Sequence, residues 1–192
     1  MPSASATRSF VDSAKKLVAT FSKERLEYMF IGGFALPAYG QIRATQDIDI
    51  AIAVTKMESL ERLLEELRRR SFETTAKAQM DAACIYLLDR ENLVEVELWL
   101  KPDGVTFNNE LLSRRRRIEL AEDLNIWVIG PEDFIVNKLA RVDRSVQDER
   151  DIVTVLINQK GKLDYEYLEE RAEEFEVIQL LKPLQRRIDT SA

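Results

Sequence analysis

The stretch MFIGGFALPAYGQIRATQDIDIAI, residues 29–52, sets an apolar run, a glycine pair and an acid pair in one short length of chain. Residues 28–31, YMFI, predict a short buried strand ended by Gly32 and Gly33, and FALPAYG predicts a short helix closed by Gly40. Pro37 falls close enough to that helix's first turn to be tolerated. From residue 47 the chain reads DIDIAIAV, so Asp47, Asp49, Ala51 and Ala53 share one strand face and Ile48, Ile50, Ile52 and Val54 the other. Both carboxylates therefore point the same way. A Gly-Gly corner between strand and helix lets backbone approach a ligand closely and leaves N–H groups free for phosphate, although two glycines also simply make a tight turn. Two aspartates on one strand face offer paired oxygen ligands whose repulsion a divalent cation relieves; the plain alternative is a solvated face.

On either side of this stretch, residues 8–26 place Phe10, Ala14, Leu17, Val18 and Phe21 at helical spacing, and residues 56–70 do the same with Met57, Leu60, Leu63, Leu64 and Leu67. AACIYLLD and NLVEVELWL predict two strands of a hairpin turning near residues 89–92. In the second strand Glu95, Glu97 and Trp99 share a face, so one of the glutamates joins Asp47 and Asp49 if the strands are neighbours. A short helix near NNELLSRRRR and a strand NIWVI follow, and from Pro131 the pattern is helical, through EDFIVNKLARV, VQDERDIVTVLINQ and the last stretch from residue 164. The expected division is a 1–130 α/β core and a 131–192 helical C-terminal region packed on it.

Composition narrows the chemistry. The chain has 192 residues, 45% hydrophobic and 32% charged, with net charge −6, so it is expected to fold around a full core and not to neutralise a long nucleic-acid backbone. No apolar stretch reaches the roughly 20 residues of a membrane span, and MPSASATRSFVDSAKK lacks the apolar segment of a secretory signal, so a cytoplasmic protein is expected. There is no histidine, and Cys84 is the only cysteine. Ser-His-Asp and Cys-His catalysis, His-ligated zinc and CxxC chemistry are excluded together. What remains is Asp, Glu, Lys, Arg and backbone amides, with Mg²⁺ or Mn²⁺ as the fitting metal.

Gly32-Gly33, thirteen intervening residues, and Asp47-x-Asp49 on a strand resemble the signature of the minimal nucleotidyltransferases of the polymerase-beta superfamily. Arg43-x-Thr45 just before the acids, and Lys138, Arg144, Asp148 and Asp151 in NKLARVDRSVQDERDI, are similar to the branch holding the AbiEii-type toxins and related uncharacterised prokaryotic proteins. The resemblance spans residues 28–157. It implies an α/β (α+β) fold with a mixed sheet flanked by helices, a helical C-terminal region, and transfer of a nucleotide from an NTP to an RNA or protein acceptor. Such an enzyme could be the toxin of a toxin–antitoxin pair.

Residue by residue, the resemblance makes Asp47 and Asp49 metal ligands, Gly32 and Gly33 the phosphate cradle, and Glu97 the third acid and potential base, with Glu95 as the alternate. Arg43 would steady the glycine loop or the acids, Lys138 would contact the triphosphate as a catalytic and cofactor-binding residue, and Thr45, Asp148 and Asp151 would belong to the cofactor-binding set. Set against this, Lys138 suits a helix surface, Arg43 a structural ion pair, and Asp148 and Asp151 a solvated network with Arg144 and Arg150. Arg114–Arg117 could hold an acceptor's phosphates or simply complement a helix end. Expected partners are NTP and the acceptor, with no membrane. An antitoxin or toxin partner, a homo-oligomer and a non-catalytic nucleotide-binding or regulatory module stay open.

Overall fold

The computed structural model describes residues 4–41, 45, 47–75 and 83–189. They form two compact units. The first comprises Met1–Phe34, Arg43–Lys101 and Arg117–Val128; the second comprises Ala35–Ile42, Pro102–Arg116 and Ile129–Ala192.

The first unit holds the sheet. Its strands are β1 (Tyr28–Phe30), β2 (Asp47–Ile52), β3 (Phe72–Thr74), β4 (Cys84–Asp89), β5 (Val94–Trp99), β6 (Arg116–Ala121) and β7 (Leu124–Val128). They form one mixed seven-stranded sheet in the order β3-β4-β5-β2-β1-β7-β6. β2 lies between β1, antiparallel to it, and β5, parallel to it. Helices α1 (Ala4–Glu24) and α3 (Met57–Arg69) accompany the sheet, packed on each other, and the four-residue α2 (Gly32–Ala35) follows β1.

The β2 alternation decides which face is covered. Phe30 pairs with Ile50 and Tyr28 with Ile52, and residues directly opposite in a ladder point to the same face. Phe21 of α1 meets the Tyr28 ring with centroids 4.9 Å apart, so α1 lies over the isoleucine face. Ile48, Ile50 and Ile52, with Val96 and Leu98 of β5, are completely buried there. The acids occupy the opposite face.

A polar clamp fixes α1 to the β4–β5 turn. Asp89, fully buried, accepts from Ser13 Oγ at 2.8 Å, Asn92 Nδ2 at 2.8 Å, Lys16 Nζ at 3.1 Å and the Glu91 N–H at 3.0 Å. Burial alone would raise its pKa, but the bonds from Asn92, Ser13, Lys16 and the Glu91 N–H outweigh that and hold it below the usual carboxylate range.

The second unit is built around α5 (Pro131–Ala140), with α4 (Asn109–Arg114), α6 (Val146–Asn158), α7 (Tyr165–Glu174) and α8 (Ile178–Asp189). Residues 131–139 are buried on every side of α5, its polar ones included. Each of those has a partner. Glu132 accepts from the Asp164 N–H at 3.0 Å, Asp133 from Tyr167 Oη at 3.0 Å, Asn137 donates to the Asp103 carbonyl at 2.7 Å, and Lys138 donates to Asp148 at 2.6 Å. Burial pushes Asp133 up to about 6, although Tyr167 and Arg171 pull the other way.

Several sequence expectations need correction. The helix expected through NNELLSRRRR ends at Arg114, and Arg116 and Arg117 open the edge strand β6, which the sequence reading did not contain. β3 is also additional. The last helical stretch breaks between α7 and α8, where Glu176 turns through a left-handed φ of 59°.

Asp89→Ala is expected to cost about 3 kcal/mol at pH 7, because it leaves Ser13 and Asn92 facing a buried site without this acceptor and Lys16 with Glu91 alone of its two carboxylate partners. Since the folded carboxyl titrates below its unfolded value, its contribution is whole above pH ~4 and disappears as pH falls through the lowered folded value. Urea titrations at neutral and acid pH should therefore show the gap between wild type and variant closing in acid.

Candidate active site

Asp47 and Asp49 project from β2 on the face away from α1, half-buried. The parallel pairing sets Asp49 opposite Glu97 and Asp47 opposite Glu95. One carboxylate oxygen from each of Asp47, Asp49 and Glu97 lies within 4.8 Å of the others, and this is the group of three or more potential metal-binding side chains found among the described residues. Glu95, on the same face of β5, is exposed and outside that group.

Three carboxylates this close repel one another, and half-burial weakens the screening that water would supply. The donor set is oxygen only, which fits a hard divalent cation such as Mg²⁺ or Mn²⁺ and not a thiophilic one.

The neighbouring backbone is shaped around these acids. The Ile31 N–H donates to the Asp49 carbonyl at 2.9 Å, bringing the chain beyond β1 alongside β2. Gly32 follows with a left-handed φ of 59°, and a Cβ on it would stand 1.9 Å from Asp49 Oδ2. Glycine is thus required twice at this position, by its conformation and by the carboxylate seated against its Cα. Gly33 is buried beside it in α2. A 3-10 turn over Leu36–Tyr39 comes next, and Gly40 closes it with a φ of 82°.

Thr45 stands just before β2 and donates from Oγ1 to Asp47 Oδ1 at 3.0 Å. Arg43 lies outside the described residues. Tyr86 of β4 is paired directly with Glu97, on the acids' face; sequence reasoning did not single it out, and the hairpin register is the signal that locates it.

Within the second unit, Lys138, Asp148 and Asp151 lie together. Lys138 is 4% exposed, so it is not the surface lysine one alternative expected. Its ammonium lies 2.6 Å from Asp148 and 3.9 Å from Asp151. Asp148 also closes a capping box with Ser145 at the start of α6. Although burial opposes its charge, the bonds from Lys138 and Ser145 bring its pKa down to about 2.

The basic run is largely absorbed into the second unit's own packing. Arg114 stacks 3.6 Å from the Tyr167 ring centroid and pairs with Asp164 at 3.0 Å, Arg115 Nε donates to the Leu112 carbonyl at 3.1 Å, and Arg116 donates to Gln159 at 3.2 Å.

A mixed sheet with paired acids on a central strand, a third on its parallel neighbour and a glycine corner at the adjoining strand's end is a nucleotidyltransferase-like arrangement. The chain belongs to the family described as nucleotidyltransferase of unknown function (DUF6036), whose model matches residues 9–187. No curated protein sequence matches it.

Solved structures share the fold at low identity. An antigenic nucleotidyltransferase-like protein from Paracoccidioides brasiliensis is 18% identical with a TM-score of 0.58, over 100% of this chain and 92% of that one. ANT(2″)-Ia, solved in complex with adenylyl-2″-tobramycin, is 14% identical with a TM-score of 0.56, over 86% and 96%. The lincosamide antibiotic adenylyltransferase LnuA, solved with lincomycin bound, is 17% identical with a TM-score of 0.52, over 73% and 94%. Among the described residues, no helix is long and apolar enough to cross a membrane.

Gly32→Ala is expected to cost about 1–2 kcal/mol from the left-handed backbone alone and to push the Asp49 carboxylate out of the acid group. A denaturant titration reads the first effect and a crystal structure of the variant the second; an unchanged midpoint with Asp49 in place would contradict this account of the glycine.

Proposed function

We propose that the protein is a nucleotidyltransferase dependent on Mg²⁺ or Mn²⁺, with Asp47, Asp49 and Glu97 as the residues that hold the metal. The observation that carries this reading is the convergence of three oxygen donors within 4.8 Å on paired strands, in a chain of a nucleotidyltransferase family. When bound, the divalent metal would neutralise charge on the NTP's phosphates and polarise the attacking oxygen.

The remaining work falls to the chain itself. Gly32 and Gly33 allow backbone to come close to the phosphates beside Asp49. Glu97 is the candidate base: it accepts the proton of the acceptor's hydroxyl while that oxygen bonds to the α-phosphorus and the bond to pyrophosphate breaks.

The acceptor we propose is a hydroxyl of RNA or protein, as in the toxin branch that the motif from Gly32 to Asp49 resembles. The test is transfer of label from each α-labelled NTP to RNA and protein fractions, with and without Mg²⁺. Product should require the metal, and Asp47→Asn combined with Asp49→Asn should lower it by roughly 10³-fold or to background, with Glu97→Gln nearly as damaging. Labelled product at the wild-type rate from the double variant would sink the proposal. NTP binding that survives the substitutions with no product from wild type would point to a nucleotide-binding module instead.

A further inference from the structure

The three acids are seated by different means. Glu97 is flanked on both sides, by β2 and by β4. Asp49 has the Ile31 N–H on its carbonyl and the Gly32 Cα against its carboxylate. Among the described residues, Asp47 has neither device. β1 pairs with Ile50, Ala51 and Ile52, so Asp47 opens the strand beyond that pairing, with Glu95 of β5 opposite.

Thr45 supplies what is missing. Its Oγ1 lies 3.0 Å from Asp47 Oδ1 and 3.3 Å from the Asp47 carbonyl. A hydroxyl has one proton to donate, and the nearer acceptor is also the charged one, which makes the stronger bond. The carboxylate torsion of an aspartate is otherwise broad and nearly two-fold, so one hydrogen bond at Oδ1 sets the plane of the group. Threonine's β-branch restricts the hydroxyl's own rotation.

We infer that Thr45 is a positioning residue for Asp47: its hydroxyl orients that carboxylate toward Asp49 and Glu97 before any metal binds, and so raises the affinity of the acid group for a divalent cation. The inference rests on the metal-holding role proposed above. Partners that orient metal ligands in this way typically change metal affinity by about 10–100-fold when removed. A merely structural threonine, tying the strand entrance to the Asp47 carbonyl, would affect folding and leave metal affinity alone.

Thr45→Val keeps the side chain's shape and removes the donor; Thr45→Ser keeps the donor. Binding of Mn²⁺ alone, measured by loss of its free electron paramagnetic resonance signal, should weaken by about tenfold or more in Thr45→Val and stay near wild type in Thr45→Ser. The unfolding midpoint of the metal-free protein should be the same in all three. Equal Mn²⁺ affinity for wild type and Thr45→Val overturns the inference, and so does weakened binding that accompanies a lowered metal-free midpoint in both variants. Wild type that binds no more Mn²⁺ than Asp47→Asn overturns the metal reading itself, and this inference with it.

Discussion

Electrostatic repulsion among Asp47, Asp49 and Glu97 is the constraint around which the first unit is arranged. Bringing three acceptor oxygens within 4.8 Å runs against both Coulomb's law and the preference of carboxylates for water. The sheet enforces it through register: with Asp49 opposite Glu97, a one-residue slip of β5 would turn the glutamate to the isoleucine face. That face supplies the counterforce. Ile48, Ile50, Val96 and Leu98 are fully buried, and any odd-numbered slip of β5 would carry its apolar side chains off this face along with the glutamate. Hydrophobic burial on one side of the strands thus holds unfavourable charge together on the other.

The same economy appears in how the ends of the strands are used. β1 stops at Phe30, which frees the chain to turn at Gly32 directly against the Asp49 carboxylate. β2 begins at Asp47, and Thr45 steadies that acid from just outside the strand. Asp47 and Asp49 therefore stand where the pairing of β1 with β2 gives way to turns. In the second unit, buried charge is handled differently. Lys138 with Asp148, and Arg171 with Asp133, are paired inside helical packing, where removing either partner would strand the other.

Much of the candidate site was legible in the sequence, because strand alternation is a local signal. DIDIAIAV and VEVELW each declare which residues share a face; burial follows the second pattern throughout and the first through Ile50, beyond which Ala51 is buried as well. What alternation could not declare was that β2 and β5 are neighbours, a parallel pairing of segments nearly fifty residues apart that sets Glu95 opposite Asp47 and Glu97 opposite Asp49. β3 escaped notice because three residues are too few to show a period, and β6 because it starts inside an arginine run that looked like a helix end. The buried charges of α5 were hidden for a related reason. A polar residue suggests solvent until its partner is known, and Asp148 lies ten positions beyond Lys138 on another helix.

Whether the acid face of β2 and β5 holds a divalent cation is read from a crystal structure of the protein grown with Mn²⁺ and examined at the manganese absorption edge. An anomalous peak is expected in contact with carboxylate oxygens of Asp47, Asp49 and Glu97 together. Peaks elsewhere on the surface, with this acid group empty at saturating Mn²⁺, would contradict that.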